Sequence, residues 1–512
     1  MDSLSLTLCR TSNQALELGI FAREFLSGKY TPPSETVLQR LKLFHLDSVC
    51  CAVSALALGT NAPNILRKEA LRYTVNSSES GAKCFGSHLS VTPEKAVLAN
   101  CAAVREWDAN GTNFGFNPEQ KATAGEFGHN DFYPVALAAA QVKGLDGHQL
   151  LLGMLLIDEI RGRLAEVFSL KNHKIDHVVH GAIASAVVYG AMVGATPKQI
   201  ESAVGLLVSH YIPFRAIRSG KQLSDSKGAS AAISAEMAVL SVQRAMSGFV
   251  GPRDVFRNSQ AIFCLNQPPI STEESPFDLT LTSGGENFAL LGMHFKLGLY
   301  EHQSAGGIQA LIDLLRDHPQ LLASGRFPDK IQTVIYEPAY GIICDPAKKN
   351  PQTRQTADHS LPFILATVLV KAYKSRSAGW KELMLLPEDY TEEKIRNPTI
   401  RQVIGTIDVT HGGDQYDHRY PQGIPTSVIL EHSDLGQIES ELVMYPLGHA
   451  KSDHEETRHI LDHKIGTLAR LGVKNPNEFV NKIKTLENLS PSDVLSLYEC
   501  DIDWRDKATR DI

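Results

Sequence analysis

The chain has 512 residues, with 50 Lys+Arg against 57 Asp+Glu, a formal charge of −7 and 43% hydrophobic residues. That composition excludes a disordered chain and, at this length, points to a globular protein of two or more domains. The acidic balance and the lack of long Lys/Arg runs argue against a nucleic-acid partner, whereas a small anionic substrate needs only a few local cations.

The apolar stretch 46–58 contains Asp47 and Ser48 and is too short to span a bilayer, so no membrane partner is expected. Residues 1–16 have neither the Arg-rich nor the signal-peptide pattern, which predicts a cytoplasmic protein without a targeting segment. The cysteines (Cys9, Cys50, Cys51, Cys84, Cys101, Cys264, Cys344, Cys500) include no CxxC. They are too sparse for a disulfide framework and read as buried thiols of a reducing compartment, with no spacing that favours an iron–sulfur site.

Helical periodicity dominates the first half. Pro33-Ser34-Glu35 opens a helix over 35–57, and Pro93-Glu94 opens another through Ala102. Further helices are predicted over 134–142, 147–160 and 182–193, with Gly194 as a breaker and Pro197-Lys198-Gln199 starting the next. Gly251-Pro252, Pro268-Pro269 and Ser283-Gly284-Gly285 then mark a loop-rich junction. Beyond it, 330–336 alternates as a strand, and 427–430 with 439–444 flank the turn Ser433-Asp434-Leu435-Gly436 as a hairpin. Helices follow the 3.6-residue period at 308–315 and 361–373, and the tail 454–498 is helical again, broken by Gly472 and Pro476. The reading is a mainly α large helical domain (1–275 and 453–512) plus a smaller α+β lid domain (276–452).

Four polar segments interrupt apolar surroundings. Arg105 to Thr112 ends a helix and leads into a long loop to Gly128-His129-Asn130-Asp131; capping and loop solvation compete there with a functional role. His173 to His180 precedes a small-residue helix, where a histidine is either a cap or a proton carrier. Lys227 sits at a helix start, either merely solvated or placed to bind a carboxylate. Phe295 to Ser304 carries Lys296 and His302. His411 to His418 reads as a solvated loop and not as a metal site. There is no GxGxxG after a strand, no GxxxxGK[ST], no HExxH and no GxSxG.

In this order and spacing the segments resemble the MmgE/PrpD family, which includes 2-methylcitrate dehydratases and cis-aconitate decarboxylases. The resemblance runs from about Leu16 to about Tyr498. Phe21-Ala22-Arg23 through Leu46-Asp47-Ser48 is similar to the family's opening helices, and Trp107-Asp108 with Thr112 to its Asp-x-x-x-Thr segment. Asp358-His359-Ser360-Leu361-Pro362-Phe363 and Tyr445-Pro446-Leu447-Gly448-His449-Ala450 are the most specific matches, both to the dehydratase branch. The resemblance implies Asp108, His129, His177 and Lys227 as catalytic residues and Thr112, Lys296 and His302 as substrate-binding residues, with His180 the alternative to His177. It implies no cofactor and no metal, a small tricarboxylate as ligand and a homodimer. The chain departs from the family pattern at Ser226, at Glu236 and in Leu299-Tyr300-Glu301.

The implied activity is a hydro-lyase converting 2-methylcitrate or a related 2-alkylcitrate to the corresponding aconitate in a specialised, secondary-metabolite pathway. The alternatives are a cis-aconitate decarboxylase and a non-catalytic polycarboxylate-binding paralogue. The chemistry suits the residue types: histidine moves protons near neutrality, and lysines hold carboxylates and stabilise the enediolate charge.

Overall fold

The computed structural model describes residues 4–76, 80–117, 122–123, 128–218 and 222–505. Strand β1 (Ser5–Leu8) leads into α1 (Gln14–Leu26), α2 (Glu35–Ala57), α3 (Asn61–Ala70) and α4 (Pro93–Arg105). Then follow α5 (Tyr133–Lys143), α6 (Gly147–Val167), α7 (Val178–Val193), α8 (Pro197–His210) and α9 (Asp225–Met246). The starts are chemically marked: Ser34 caps α2, and Thr196 with Gln199 forms a capping box on α8.

Helix α2 is buried on every side from Phe44 to Ala57 because α4 and a C-terminal helix, α12 (His454–Gly472), pack on it. Helix α7 is small-residue-rich for a steric reason: a Cβ on Gly181 would meet the Phe132 ring at 2.0 Å. A Cβ on Gly190 would likewise meet Ile200 of α8 at 2.9 Å, so the approach of α8 depends on that glycine too.

The second half is α+β. β2 (Leu279–Thr282) pairs antiparallel with β1 and lies against α6. Helices α10 (Ala305–Asp317) and α11 (Leu361–Ser375) accompany a four-stranded sheet made of β3 (Lys330–Ile335), β4 (Ile407–His411), β5 (Thr426–His432) and β6 (Gly436–Glu439). The sheet order is β4-β3-β5-β6, with β4 parallel to β3 and the other pairs antiparallel. On β3, Ile331, Thr333 and Ile335 are buried in alternation, as a one-faced strand requires.

The hairpin differs from the sequence expectation. β6 occupies Gly436–Glu439 and not 439–444, because Gly436 pairs with His432 and, at φ 73°, closes a three-residue loop in the left-handed region. His411, at the end of β4, pairs with Asp417 at 2.9 Å in a half-exposed loop. No single helix among the described residues is long and apolar enough to cross a membrane.

Candidate active site

Helix α4 ends in a turn whose last residue, Asp108, adopts φ 51°, a costly conformation for a side chain other than glycine's. This turn aims a fully buried carboxylate into a group of cations from distant elements. Lys227 Nζ, in the first turn of α9, lies 2.9 Å from Asp108 Oδ2. Lys296 Nζ bonds Asp108 Oδ1 and donates to the Asp108 carbonyl at 2.7 Å, and Arg105 bonds the same carboxylate from one turn back.

His359 closes the ring, with Nε2 3.1 Å from Asp108 Oδ2 and Nδ1 2.6 Å from Asp358 Oδ1. Arg354 anchors Asp358 at 3.2 Å and Glu106 at 2.6 Å. Burial alone would raise the Asp108 carboxyl, but Arg105, Lys227, Lys296 and His359 together hold it well below the usual carboxylate range. Burial pushes Lys296 down, against the pull of Asp108.

Two-residue strands, Thr112–Asn113 and Gly128–His129, pair antiparallel and set Thr112 opposite His129. The connecting residues 118–121 and 124–127 lie outside the described set. The His129 and His177 rings are 5.6 Å apart, and burial, with Arg105 for His129 and Arg218 for His177, pushes both imidazoles well down. Both are therefore neutral, proton-accepting rings at neutral pH. Arg218 Nη2 lies 3.5 Å from His177 Nε2, 3.2 Å from Asp176 Oδ1 and 2.9 Å from Ser230 Oγ. Burial would raise Asp176, but Arg218 pulls it down to about 2.

Beside this group lies a cavity of about 290 Å³. The first half of the chain lines it with Arg105, His129, Arg215, Arg218, Leu223 and Lys227. The second half contributes Glu301, Gly341, Ile342, Asp345, Lys348 and His359. Among the described residues, five cationic side chains thus face two carboxyls, an excess suited to a ligand with several carboxylates.

Of the residues expected from sequence, Asp108, His129, His177, Lys227 and Lys296 fall in one cluster, with His129 and Lys227 on the cavity wall. Thr112 and His302 do not line the wall. Thr112 Oγ1 donates to the Gly128 carbonyl at 2.9 Å, and His302 stacks on His294 with a 5.1 Å ring separation. His180, one turn beyond His177, is buried with both ring nitrogens lacking hydrogen-bond partners among the described residues. Glu236 pairs with Lys95 at 2.7 Å, away from the cavity.

Sequence reading missed Arg215, Arg218, Glu301, Lys348 and His359 as site residues. His359 carried a signal, since it stands in one of the two most specific family-like segments, and so did Glu301, which stands in the polar segment Phe295 to Ser304 where the chain departs from the family pattern. Asp108, Asp358 and His359 place ligand atoms within 4.8 Å of one another, as a metal site would. The space is cationic already: Lys227 Nζ lies 2.9 Å from Asp108 and 3.5 Å from Asp358. A divalent ion there would have to displace that ammonium.

The MmgE/PrpD N-terminal domain matches residues 21–265, and the MmgE/PrpD C-terminal domain matches residues 301–486. The chain belongs to the MmgE/PrpD family. A probable 2-methylcitrate dehydratase of Saccharomyces cerevisiae is 24% identical over 437 residues, covering 81% of this chain and 78% of the relative. The 2-methylcitrate dehydratase of Escherichia coli O157:H7 is 22% identical over 436 residues, covering 82% and 85%. That of Salmonella typhi is 22% identical over 441 residues with the same coverage. The two MmgE/PrpD domain matches meet at the cavity, which draws side chains from both.

Proposed function

We propose that this chain is a hydro-lyase that dehydrates 2-methylcitrate or a related 2-alkylcitrate. The observation that carries the reading is the cavity itself, where an excess of cations faces the neutral imidazole of His129. A β-hydroxy tricarboxylate brings up to three negative charges and an acidic C–H beside a carboxylate. Lys227, Arg215, Arg218 and Lys348 hold the carboxylates, and His129 takes the proton as negative charge grows toward an enediolate. His177 backs His129 as the second imidazole, and Asp108 fixes Lys227 and Lys296. Thr112 and His302 shape the layer behind. The names of the relatives support dehydration over other lyase chemistry. A cofactor-free homodimer belongs to the same reading and is checked by sedimentation.

The test is turnover of 2-methylcitrate, a longer 2-alkylcitrate and cis-aconitate, following alkene absorbance and released carbon dioxide. Alkene formed from an alkylcitrate without carbon dioxide supports the reading. Carbon dioxide from cis-aconitate alone would make the chain a decarboxylase, and binding without turnover a polycarboxylate-binding paralogue.

A further inference from the structure

Glu301 is the odd residue of the cavity wall. It occupies the segment Leu299-Tyr300-Glu301, where the chain departs from its family's pattern, and it is only 4% exposed. Its geometry is held at two points. The Glu301 amide donates to the Asp358 carbonyl at 2.8 Å, and Oε2 accepts from the Gln303 amide at 2.8 Å, capping the turn His302–Ser304. Glu301 lines the cavity, and no ion pair to it occurs among the described residues. Burial first, with Asp108 adding to it, pushes the carboxyl up to about 7 against the pull of Lys296.

A carboxylate in this position would repel a polycarboxylate, so the wall accepts such a ligand most readily with Glu301 protonated. Protonated, Glu301 is an O–H donor among cations. The ligand's carboxylates are matched by Lys227, Lys348 and the two arginines; the oxygen that still needs a proton is the departing hydroxyl. Lys227 is already engaged by Asp108 at 2.9 Å and by Asp358 at 3.5 Å.

We propose that Glu301 is the general acid that protonates the leaving hydroxyl, a catalytic role that rests on the dehydratase reading above. His129 takes the proton from carbon, the C–H electrons form the double bond, the C–O bond breaks, and the Glu301 proton joins the leaving oxygen to give water. Glu301 is left as carboxylate and His129 as imidazolium, and exchange of protons with solvent restores both.

The experiment is Glu301→Gln in the full chain. Glutamine keeps an oxygen for the Gln303 amide and removes the acid. The expected result is a kcat lower by about 10²–10³-fold with KM within about threefold. A general acid must be protonated, so wild-type kcat/KM falls as pH rises through about 7, and in the variant that limb is absent. In deuterated water the variant also exchanges the substrate's abstracted hydrogen faster than it forms alkene, because C–H cleavage no longer leads to C–O cleavage.

Should the glutamine variant not fold, Glu301→Asp decides: the alkaline limb moves if residue 301 is the acid and stays in place if it is not. An E301Q enzyme with near-normal kcat, or with the alkaline limb intact, overturns the assignment while leaving the dehydratase reading standing. A wild-type protein that forms no alkene from any alkylcitrate overturns both.

Discussion

Lys464→Met probes how the C-terminal helix supports the site. Lys464 Nζ bonds Asp47 Oδ1 at 2.7 Å and Oδ2 at 2.9 Å, the Ala109 carbonyl at 2.5 Å and the Lys296 carbonyl at 2.8 Å. Neither Lys464 nor Asp47 is exposed at all. Methionine fills the lysine stem but removes the charge. Asp47, whose carboxyl burial already raises, then keeps only the more distant Lys296 as an opposing charge. Removing one partner of a buried pair costs about 3–5 kcal/mol. An unfolding entropy of about 2.1 cal/mol/K per residue over 512 residues is roughly 1.1 kcal/mol/K, so Tm should fall by about 3–5 °C. The carbonyls that lose their donor belong to Lys296 and to the residue after Asp108, so kcat should fall as well. Adding Asp47→Asn removes the stranded charge and should recover part of the loss. Scanning calorimetry reads both variants. A Lys464→Met melt within about 1 °C of wild type, or a double variant worse than the two singles combined, refutes the account.

Lys227→Met should lower kcat/KM by at least about tenfold, read by steady-state kinetics, because it removes a cavity cation and one partner of Asp108. His180→Leu should leave kcat near wild type, since His180 is absent from the cavity wall. It should also flatten the acid limb of stability. Burial holds the His180 imidazole down to about 3 from 6.5, so below pH 6.5 the unfolded chain binds a proton that the folded chain refuses. His180's contribution is complete above that pH and is lost as pH falls toward 3; by pH 4 its share of the deficit is about 3 kcal/mol, and urea titrations should find the variant's acid loss smaller by about that amount. Chelator treatment followed by dialysis should leave turnover unchanged, because the Lys227 ammonium already serves the Asp108 and Asp358 carboxylates; activity restored by an added divalent ion would count against this.

The elements legible in the sequence are those whose signals are local. The helix from Glu35 to Ala57 follows from its capping serine and apolar period, and the helix from Pro197 from Thr196 and Gln199. The turn at Ser433 to Gly436 was legible too, but the register of β6 was not, because it depends on the one residue that takes positive φ. The strands that set Thr112 opposite His129 are two residues long and carry no period at all. Within the site, Asp108, Lys227 and Lys296 were legible one at a time, through resemblance. Their union on one carboxylate was not, since they stand 119 and 69 positions apart along the chain and only the fold joins them. Glu301 and His302 show the same limit at close range: adjacent in sequence, one side chain lines the cavity while the other stacks on His294.

A buried ion network is a weak source of stability, because the desolvation of each charge offsets most of the attraction. This one adds a left-handed Asp108 backbone, which costs of order 1–3 kcal/mol. Both costs fall on one residue in the interior of the fold, where apolar packing of similar volume would serve stability better. The arrangement is better explained by what it holds in place. Asp108 fixes the ammonium of Lys227 on the cavity wall and that of Lys296 just behind it before any ligand arrives. Preset cations need little reorganisation when negative charge develops on a substrate, and this is the condition under which electrostatic stabilisation is largest. The apolar layers of α2, α4 and α9 around the network exclude the water that would otherwise weaken it.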